Sequence, residues 1–182
     1  MPPALRAIAG VDDSKKLSPS ERERLAPIIR ARAVAVGIGA ASVREVERDN
    51  ILQATIRAMR RAIARLATPP DVILVDGRPL ASLGWAHEAI VDGDARCYSI
   101  ACASIVAKVV RDRLMRTLAL RYPGYAWERN VGYGTAEHRS AIEKLGLTRH
   151  HRPSFVQSPE QVPTIVDNHA VSGREMEIDP GF

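Results

Sequence analysis

The chain has no uninterrupted apolar run near the ~18–20 residues a membrane-crossing helix needs. Its first residues, Met1-Pro2-Pro3-Ala4-Leu5-Arg6, form no continuous apolar segment of the secretory kind. Both absences argue against a membrane partner and for a cytoplasmic place of action. Cysteine is nearly absent too. Cys97 and Cys102 lie five apart around an expected helix start, which suits free thiols in a reducing compartment better than a disulfide framework. The adjacent histidines His150 and His151 lack metal-ligand spacing, so no zinc-type site is expected there. No internal repeat is present.

What remains is 182 residues with 46% hydrophobic content, one ordinary domain's worth of chain with enough length to bury a core. The net charge of +5 is unevenly spread. Residues 158–182 hold five acids and one base, so the rest carries +9, enough to favour a polyanionic partner. That polar stretch has no periodicity, and residues 157–182 are expected to form a disordered acidic tail. Arginine supplies 22 of the 26 basic residues.

Helix and strand signals alternate along residues 1–156. Ser18-Pro19-Ser20-Glu21 is a capping box with proline at the first helical position, predicting a helix to about Arg32. Ala33–Ala41, small and partly β-branched, reads as a strand. Ser42-Val43-Arg44-Glu45 opens a short helix, and Asn50 caps a longer one. In it Ile51, Leu52, Met59, Ile63 and Leu66 share one face and Arg57, Arg60, Arg61 and Arg65 the other. Val72–Val75 reads as a buried strand, and Ala89–Val91 as a short extended segment. A helix rich in small residues follows from about Ser99 to Tyr122. Thr135 caps another, which ends at Leu145-Gly146. The fold class expected is α/β, helices on a sheet.

Two aspartates carry the clearest chemical signal. Asp76 closes the run Val72-Ile73-Leu74-Val75, and Asp94 follows in Asp92-Gly93-Asp94. A carboxylate leaving a strand with a second nearby suits hard divalent cations, which prefer oxygen donors. The plain alternatives are an Asx-turn for Asp76 and a dipole-favoured acid at a helix start for Asp94. Asp92 reads as merely solvated. Gly10–Leu17 is a polar, basic loop in which Ser14, Lys15 and Lys16 suit a phosphate backbone, or simply a solvated turn. On the helix after Asp94, Ser104 and Lys108 share a face with Arg111 or Asp112. A Ser/Lys hydrolase dyad would need lysine three residues after Ser104, where the chain has Ala107. Tyr133, between Gly132 and Gly134, is either a packing residue in a tight turn or a ring set to stack on a sugar or base. His150-His151-Arg152 reads as a basic cluster able to touch phosphate.

Taken in order, these segments resemble ribonuclease HII, the type 2 ribonuclease H family. The resemblance rests on Asp13-Ser14-Lys15-Lys16-Leu17, Asn50-Ile51-Leu52-Gln53-Ala54-Thr55, Val75-Asp76-Gly77 and Gly93-Asp94-Ala95. It continues through Ala103-Ser104-Ile105-Val106-Ala107-Lys108-Val109, Arg111-Asp112-Arg113 and Tyr122-Pro123-Gly124-Tyr125. Gly132-Tyr133-Gly134-Thr135 with His138, then His151-Arg152 and Ser154-Phe155, complete it. The match runs from about residue 5 to 156, which makes residues 1–156 the expected domain.

The resemblance implies a ribonuclease H-like fold, with a central mixed β-sheet flanked by helices and a C-terminal helical portion. It implies cleavage of the RNA strand in RNA–DNA hybrids and incision 5′ to a ribonucleotide embedded in duplex DNA, with Mn²⁺ or Mg²⁺ as cofactor. Asp76 and Asp94 match catalytic metal ligands. Tyr133 matches the residue that senses the ribonucleotide beside its 2′-hydroxyl, and Ser14, Lys15, Lys16, Ser104 and Lys108 fall where nucleic acid is contacted. A monomer is expected. One departure matters: the family opens on a strand carrying Asp-Glu, followed by Gly-Arg-Gly, and nothing here corresponds. The expectation is a chain truncated at its N-terminus or given a mis-assigned Met1. It would then hold two of four metal-site acids, and a catalytically impaired nucleic-acid-binding remnant is the alternative.

Overall fold

Ser18 and Ser42 do what their spacing predicts. Each hydroxyl accepts from the backbone N–H three residues on, while Glu21 and Glu45 reach back to the N–H groups of Ser18 and Ser42. These two reciprocal caps, each worth about 1 kcal/mol, open helices α1 (Pro19–Arg32) and α2 (Val43–Ala64). The computed structural model describes residues 7–156, so the expected tail at 157–182 lies outside the described residues. Within α2 the chain breaks at Asn50, whose φ of 72° leaves the helical region while its side-chain oxygen accepts from Gln53 N–H at 3.1 Å. Asn50 therefore caps the second half of α2, as expected.

Two strands follow, β1 (Leu74–Asp76) and β2 (Glu88–Ile90), paired in parallel with Asp76 opposite Ile90. Helices α3 (Gly93–Arg96) and α4 (Tyr98–Arg121) come next, then α5 (Trp127–Asn130) and α6 (Ala136–Leu145). Thr135 caps α6 through His138 N–H. The chain divides after Val109, inside α4, into two compact units.

In the first unit Val75, Ile56 and Leu83 form a buried cluster, with Met59, Ile63, Ile73 and Leu80 against it. Ile51 and Leu52, expected on that inner face of α2, are half exposed instead. Both lie in the first turn after Asn50, ahead of Ile56, Met59 and Ile63, which reach the cluster. Val72 is also exposed, so the buried strand starts two residues later than its apolar run suggests.

Ala33–Ala41 is not a strand. No ladder partner pairs with it among the described residues, and α2 holds it by other means. A Cβ at Gly37 would fall 2.0 Å from the Ala62 carbonyl oxygen, and one at Gly39 would fall 1.9 Å from that of Ala58. Only glycine lets this backbone lie so close to the helix. The Ile38 and Ala40 carbonyls accept from the guanidinium groups of Arg65 and Arg61, each at 2.7 Å. Arginines on the face opposite the apolar stripe thus take the place of a neighbouring strand. Arg61 also binds Glu45 in a two-point ion pair, and that guanidinium holds the Glu45 carboxyl down to about 2.

The second unit is built on aromatic rings. Tyr125 and Trp127 stack with centroids 5.3 Å apart, and Trp127 is 1% exposed. Leu118, Ala119, Ala141, Ile142 and Leu147 close around them.

Candidate active site

β1 ends on Asp76, and its neighbour β2 delivers the chain to α3 after two intervening residues. Gly93 opens α3 and donates its N–H to Asp76 Oδ1 at 2.8 Å. A Cβ on Gly93 would meet Ile100 Cδ1 at 2.7 Å and Asp76 Oδ1 at 3.2 Å, so the approach needs glycine. Asp94 is the next residue in the chain. The two predicted metal ligands are thus brought to one place, through a backbone contact that a larger residue would break. Asp94 is buried, whereas Asp76 is exposed at the strand end. Asp92, read as merely solvated, takes a left-handed conformation at φ 54° and starts the turn that aims Asp94 inward.

Lys15 arrives from the loop before α1. Its ammonium lies 3.0 Å from Asp94 Oδ2, and its side chain is 79% exposed on its other sides. Hydrogen-bonded by this ammonium, the Asp94 carboxyl is held below the usual carboxylate range. Lys15 is in turn raised, first by that bond and charge, then by the charges of Asp13 and Asp76. Asp94 is the carboxylate in contact with this ammonium, and Asp13 and Asp76 add their charge to its surroundings. Asp13 was not anticipated as part of the group. Its side chain accepts Lys15 N–H at 2.9 Å, which turns the loop so that Lys15 faces Asp94.

The loop itself is anchored from behind. Arg22, buried in α1, donates to the Ser14 carbonyl at 2.7 Å and also to that of Leu17. Ser14 is buried, so its backbone is held in place, while Lys16 points outward with its ammonium 3.5 Å from Asp12. Tyr98, at the start of α4, accepts Ile8 N–H at 2.6 Å and fixes the entry to this segment. The only sequence sign of Arg22 was a basic residue in the first turns of a capped helix. Nothing in that position predicts burial.

Oxygen chemistry suits Mg²⁺ or Mn²⁺ at Asp76 and Asp94, since such ions are often held by one or two carboxylates with waters and substrate phosphate. The ammonium of Lys15 already shows that a cation is favoured beside Asp94. Among the described residues no group of three or more histidine, cysteine or acidic side chains could hold a metal ion. The donors present therefore fit a shared site with open positions rather than a closed cage.

The remaining predicted residues divide. Ser104 donates its hydroxyl to the Ala101 carbonyl, back into its own helix, at 2.9 Å. Lys108 lies one turn further along, half-buried. In the second unit Tyr133 is 54% exposed and its ring carries the Arg111 guanidinium 5.2 Å from the centroid. The ring is thus presented to solvent rather than packed away in a tight turn. His150-His151-Arg152 is not a basic cluster. Burial pushes His151 down to about 4 and lowers His150 as well, so both rings are neutral near pH 7. Arg152 lies over the Phe155 ring at 4.0 Å.

With this geometry in hand, the comparisons with known proteins are direct. The family model described as Ribonuclease HII matches residues 3–158. The chain is 58% identical over 154 residues to a ribonuclease HII of Rhodospirillum rubrum, covering 84% of this chain and 70% of that protein. It is 55% identical over 149 residues to that of Thermosynechococcus vestitus, covering 81% and 69%. Against the Granulibacter bethesdensis ribonuclease HII it is 53% identical over 146 residues, covering 80% and 67%. Among solved structures, the ribonuclease H2 of Pyrococcus horikoshii matches with a TM-score of 0.65 at 22% identity, over 80% of this chain and 76% of that one. That likeness places the α/β architecture in the ribonuclease H-like fold. By family model, by identity and by fold, the chain belongs to the ribonuclease HII family of RNA-hydrolysing enzymes.

Proposed function

We propose that this chain cleaves the RNA strand of RNA–DNA hybrids and incises duplex DNA on the 5′ side of an embedded ribonucleotide. The observation that carries this reading is the meeting of Asp76 and Asp94 at the end of β1, with the exposed Lys15 ammonium held against Asp94. The chain's excess of basic residues favours a polyanion, and Tyr133 offers an exposed ring of the kind that stacks on a sugar or base.

Asp76 and Asp94 would hold Mg²⁺ or Mn²⁺. When bound, two such ions supply Lewis acidity that makes water a usable nucleophile and neutralises charge on the leaving 3′-oxygen. The chain's own residues do the rest. Gly93 N–H fixes the Asp76 carboxylate, and the α3 turn fixes Asp94, so neither has to be ordered when substrate arrives. Lys15 holds the Asp94 carboxylate ionised and ready. Its long, exposed stem would also let the ammonium reach a substrate phosphate. Lys16 and Ser14 line the same loop, and Ser104 and Lys108 follow along α4 as further backbone contacts. Tyr133 would read the 2′-hydroxyl, the atom that distinguishes RNA from DNA, through its exposed ring. A monomer working on hybrids in the cytoplasm completes the proposal.

The test is a labelled RNA–DNA hybrid incubated with the purified chain and Mg²⁺ or Mn²⁺. Cleavage that stops on chelation and in Asp94→Asn is expected; turnover that survives chelation would sink the reading. A second reading is a hybrid-binding protein without turnover, favoured because no group of three or more histidine, cysteine or acidic side chains among the described residues could hold a metal ion. Hybrid binding with no cleavage, unchanged in Asp76→Asn, is its signature.

A further inference from the structure

Behind Tyr133 lies a buried chain of hydrogen bonds whose proton positions are dictated by its fixed donors. Thr148 N–H donates to His151 Nδ1 at 2.9 Å, so that nitrogen carries no proton. The neutral ring must then be protonated at Nε2, which lies 3.2 Å from His138 Nε2. The Trp127 indole N–H, which can only donate, points at the same His138 nitrogen from 3.0 Å. The single lone pair of His138 Nε2 is therefore shared between these two donors, and the ring's proton sits on Nδ1. From there it is donated to the Tyr133 carbonyl oxygen at 2.9 Å. His138 and His151 are 5% and 6% exposed, and Trp127 is 1% exposed, so water does not substitute for any of these partners. The low exposure strengthens each bond and makes each missing one expensive.

The tyrosine is held elsewhere along its backbone too. Its N–H donates to the Asn130 carbonyl at 2.9 Å, and Thr135 N–H shares its carbonyl oxygen at 2.8 Å. Asn130 is buried, donates to the Tyr125 carbonyl at 2.8 Å, and accepts Gly132 N–H at the same distance. An exposed ring thus stands on a backbone clamped from below by a buried network that reaches no solvent. Surface turns do not need such support.

We propose that His138, oriented by Trp127 and His151, is a positioning residue that aims Tyr133 at the ribonucleotide and so sets discrimination between ribose and deoxyribose. This deepens the reading of Tyr133 given above and rests on it. His138 touches no substrate in this scheme. It acts through the Tyr133 carbonyl, and a ring aimed even slightly wrong loses the contact that tells the two sugars apart.

The experiment uses the full chain and measures affinity for a duplex with one ribonucleotide against the same duplex in all-DNA form. The ratio is followed in His138→Ala, His138→Phe and His138→Asn. Asparagine places an amide nitrogen where Nδ1 was and keeps the donor to Tyr133. Alanine and phenylalanine should lower the ribose preference by roughly tenfold to a hundredfold, since misplacement rather than lost area is at stake. Asparagine should stay within about threefold of the parent, keeping a neutral hydrogen bond. A purely structural histidine would weaken both duplexes together and leave the ratio alone, which would overturn the proposal. In a Tyr133→Ala background His138→Phe should change the ratio no further; additive losses would equally overturn it. Should the parent show no ribose preference, the substrate reading fails by itself. Amide hydrogen exchange over residues 131–135 then decides the positioning claim. Faster exchange there in His138→Phe but not in His138→Asn supports it, and equal exchange refutes it.

Discussion

The two units hold their functional residues by different means. In the first, polar groups do the positioning. Gly93 N–H grips Asp76, Arg22 grips the Lys15 loop, and Arg61 and Arg65 grip the segment packed on α2. The apolar cluster under the sheet is small, and β1 has three residues. In the second unit a dense aromatic core comes first, and polar groups are threaded through it to reach one exposed ring. An open, polar scaffold suits charges that the proposed function would have to exchange for another cation. Where a flat ring must be aimed, a rigid one is better. Each unit carries one of the two tryptophans, Trp85 and Trp127, so fluorescence can follow them separately.

The contrast can be broken most forcefully at Trp127. Trp127→Ala removes the centre of the second core and the donor to His138, and should lower unfolding free energy by about 3–5 kcal/mol. Denaturant melts read by circular dichroism check this. A loss below about 1 kcal/mol, as for an ordinary surface site, would mean that the aromatic core is not what holds the unit.

Acid should also find the second unit first. Burial depresses His151 from an ordinary 6.5 to about 4, so the folded state resists the proton that the unfolded chain accepts. Its contribution is complete above about pH 6.5 and is lost as pH falls through about 4, at most about 3 kcal/mol in all. Glu45, depressed to about 2, responds only further down, between its ordinary 4.5 and that value. In a Trp85→Phe chain, the Trp127 signal should report weakening between pH 6.5 and 4.5, and His151→Asn should flatten that slope. A pH-independent midpoint across this range in the parent would contradict neutral burial of the ring.

Smaller effects test the first unit. Gly39→Ala would place a methyl 1.9 Å from a backbone oxygen that cannot move aside, and should cost about 1–3 kcal/mol. The expected signature is a lowered midpoint with the Trp127 signal unchanged. Ser18→Ala removes one capping hydroxyl and should cost about 1 kcal/mol. A loss of several kcal/mol from Ser18→Ala would show that α1 is far closer to the limit of stability than its packing suggests.

Much of this was legible in the chain itself. Both capping boxes, the Asn50 break, the strand closing on Asp76 and the helix capped by Thr135 follow from local rules, and local rules do not depend on what lies across the fold. The misreadings share one physical origin. Ala33–Ala41 has strand composition, yet a strand needs a neighbour, and here two glycines and two arginines seat the backbone on α2. Ile51 and Leu52 fit the apolar stripe by spacing, but they sit in the first turn after Asn50, short of the cluster that Ile56, Met59 and Ile63 reach. His150 and His151 look basic beside Arg149 and Arg152, but burial decides their charge, and burial is a property of the fold. At the candidate site Asp76 and Asp94 were visible as acids leaving a strand and entering a helix. Arg22 and Asp13, which set the Lys15 loop, were hidden because their contacts are with backbone atoms that any sequence supplies.

The most direct test is cleavage of an end-labelled DNA duplex containing one ribonucleotide, with the cut mapped at single-nucleotide resolution in Mg²⁺ or Mn²⁺. One incision on the 5′ side of the ribonucleotide is expected, abolished by chelation and slowed about a thousandfold or more in Asp94→Asn, as loss of several kcal/mol of metal-dependent stabilisation implies. A duplex left intact by the parent chain, or a cut that Asp94→Asn makes equally well, would contradict the assignment of Asp76 and Asp94 as its catalytic pair.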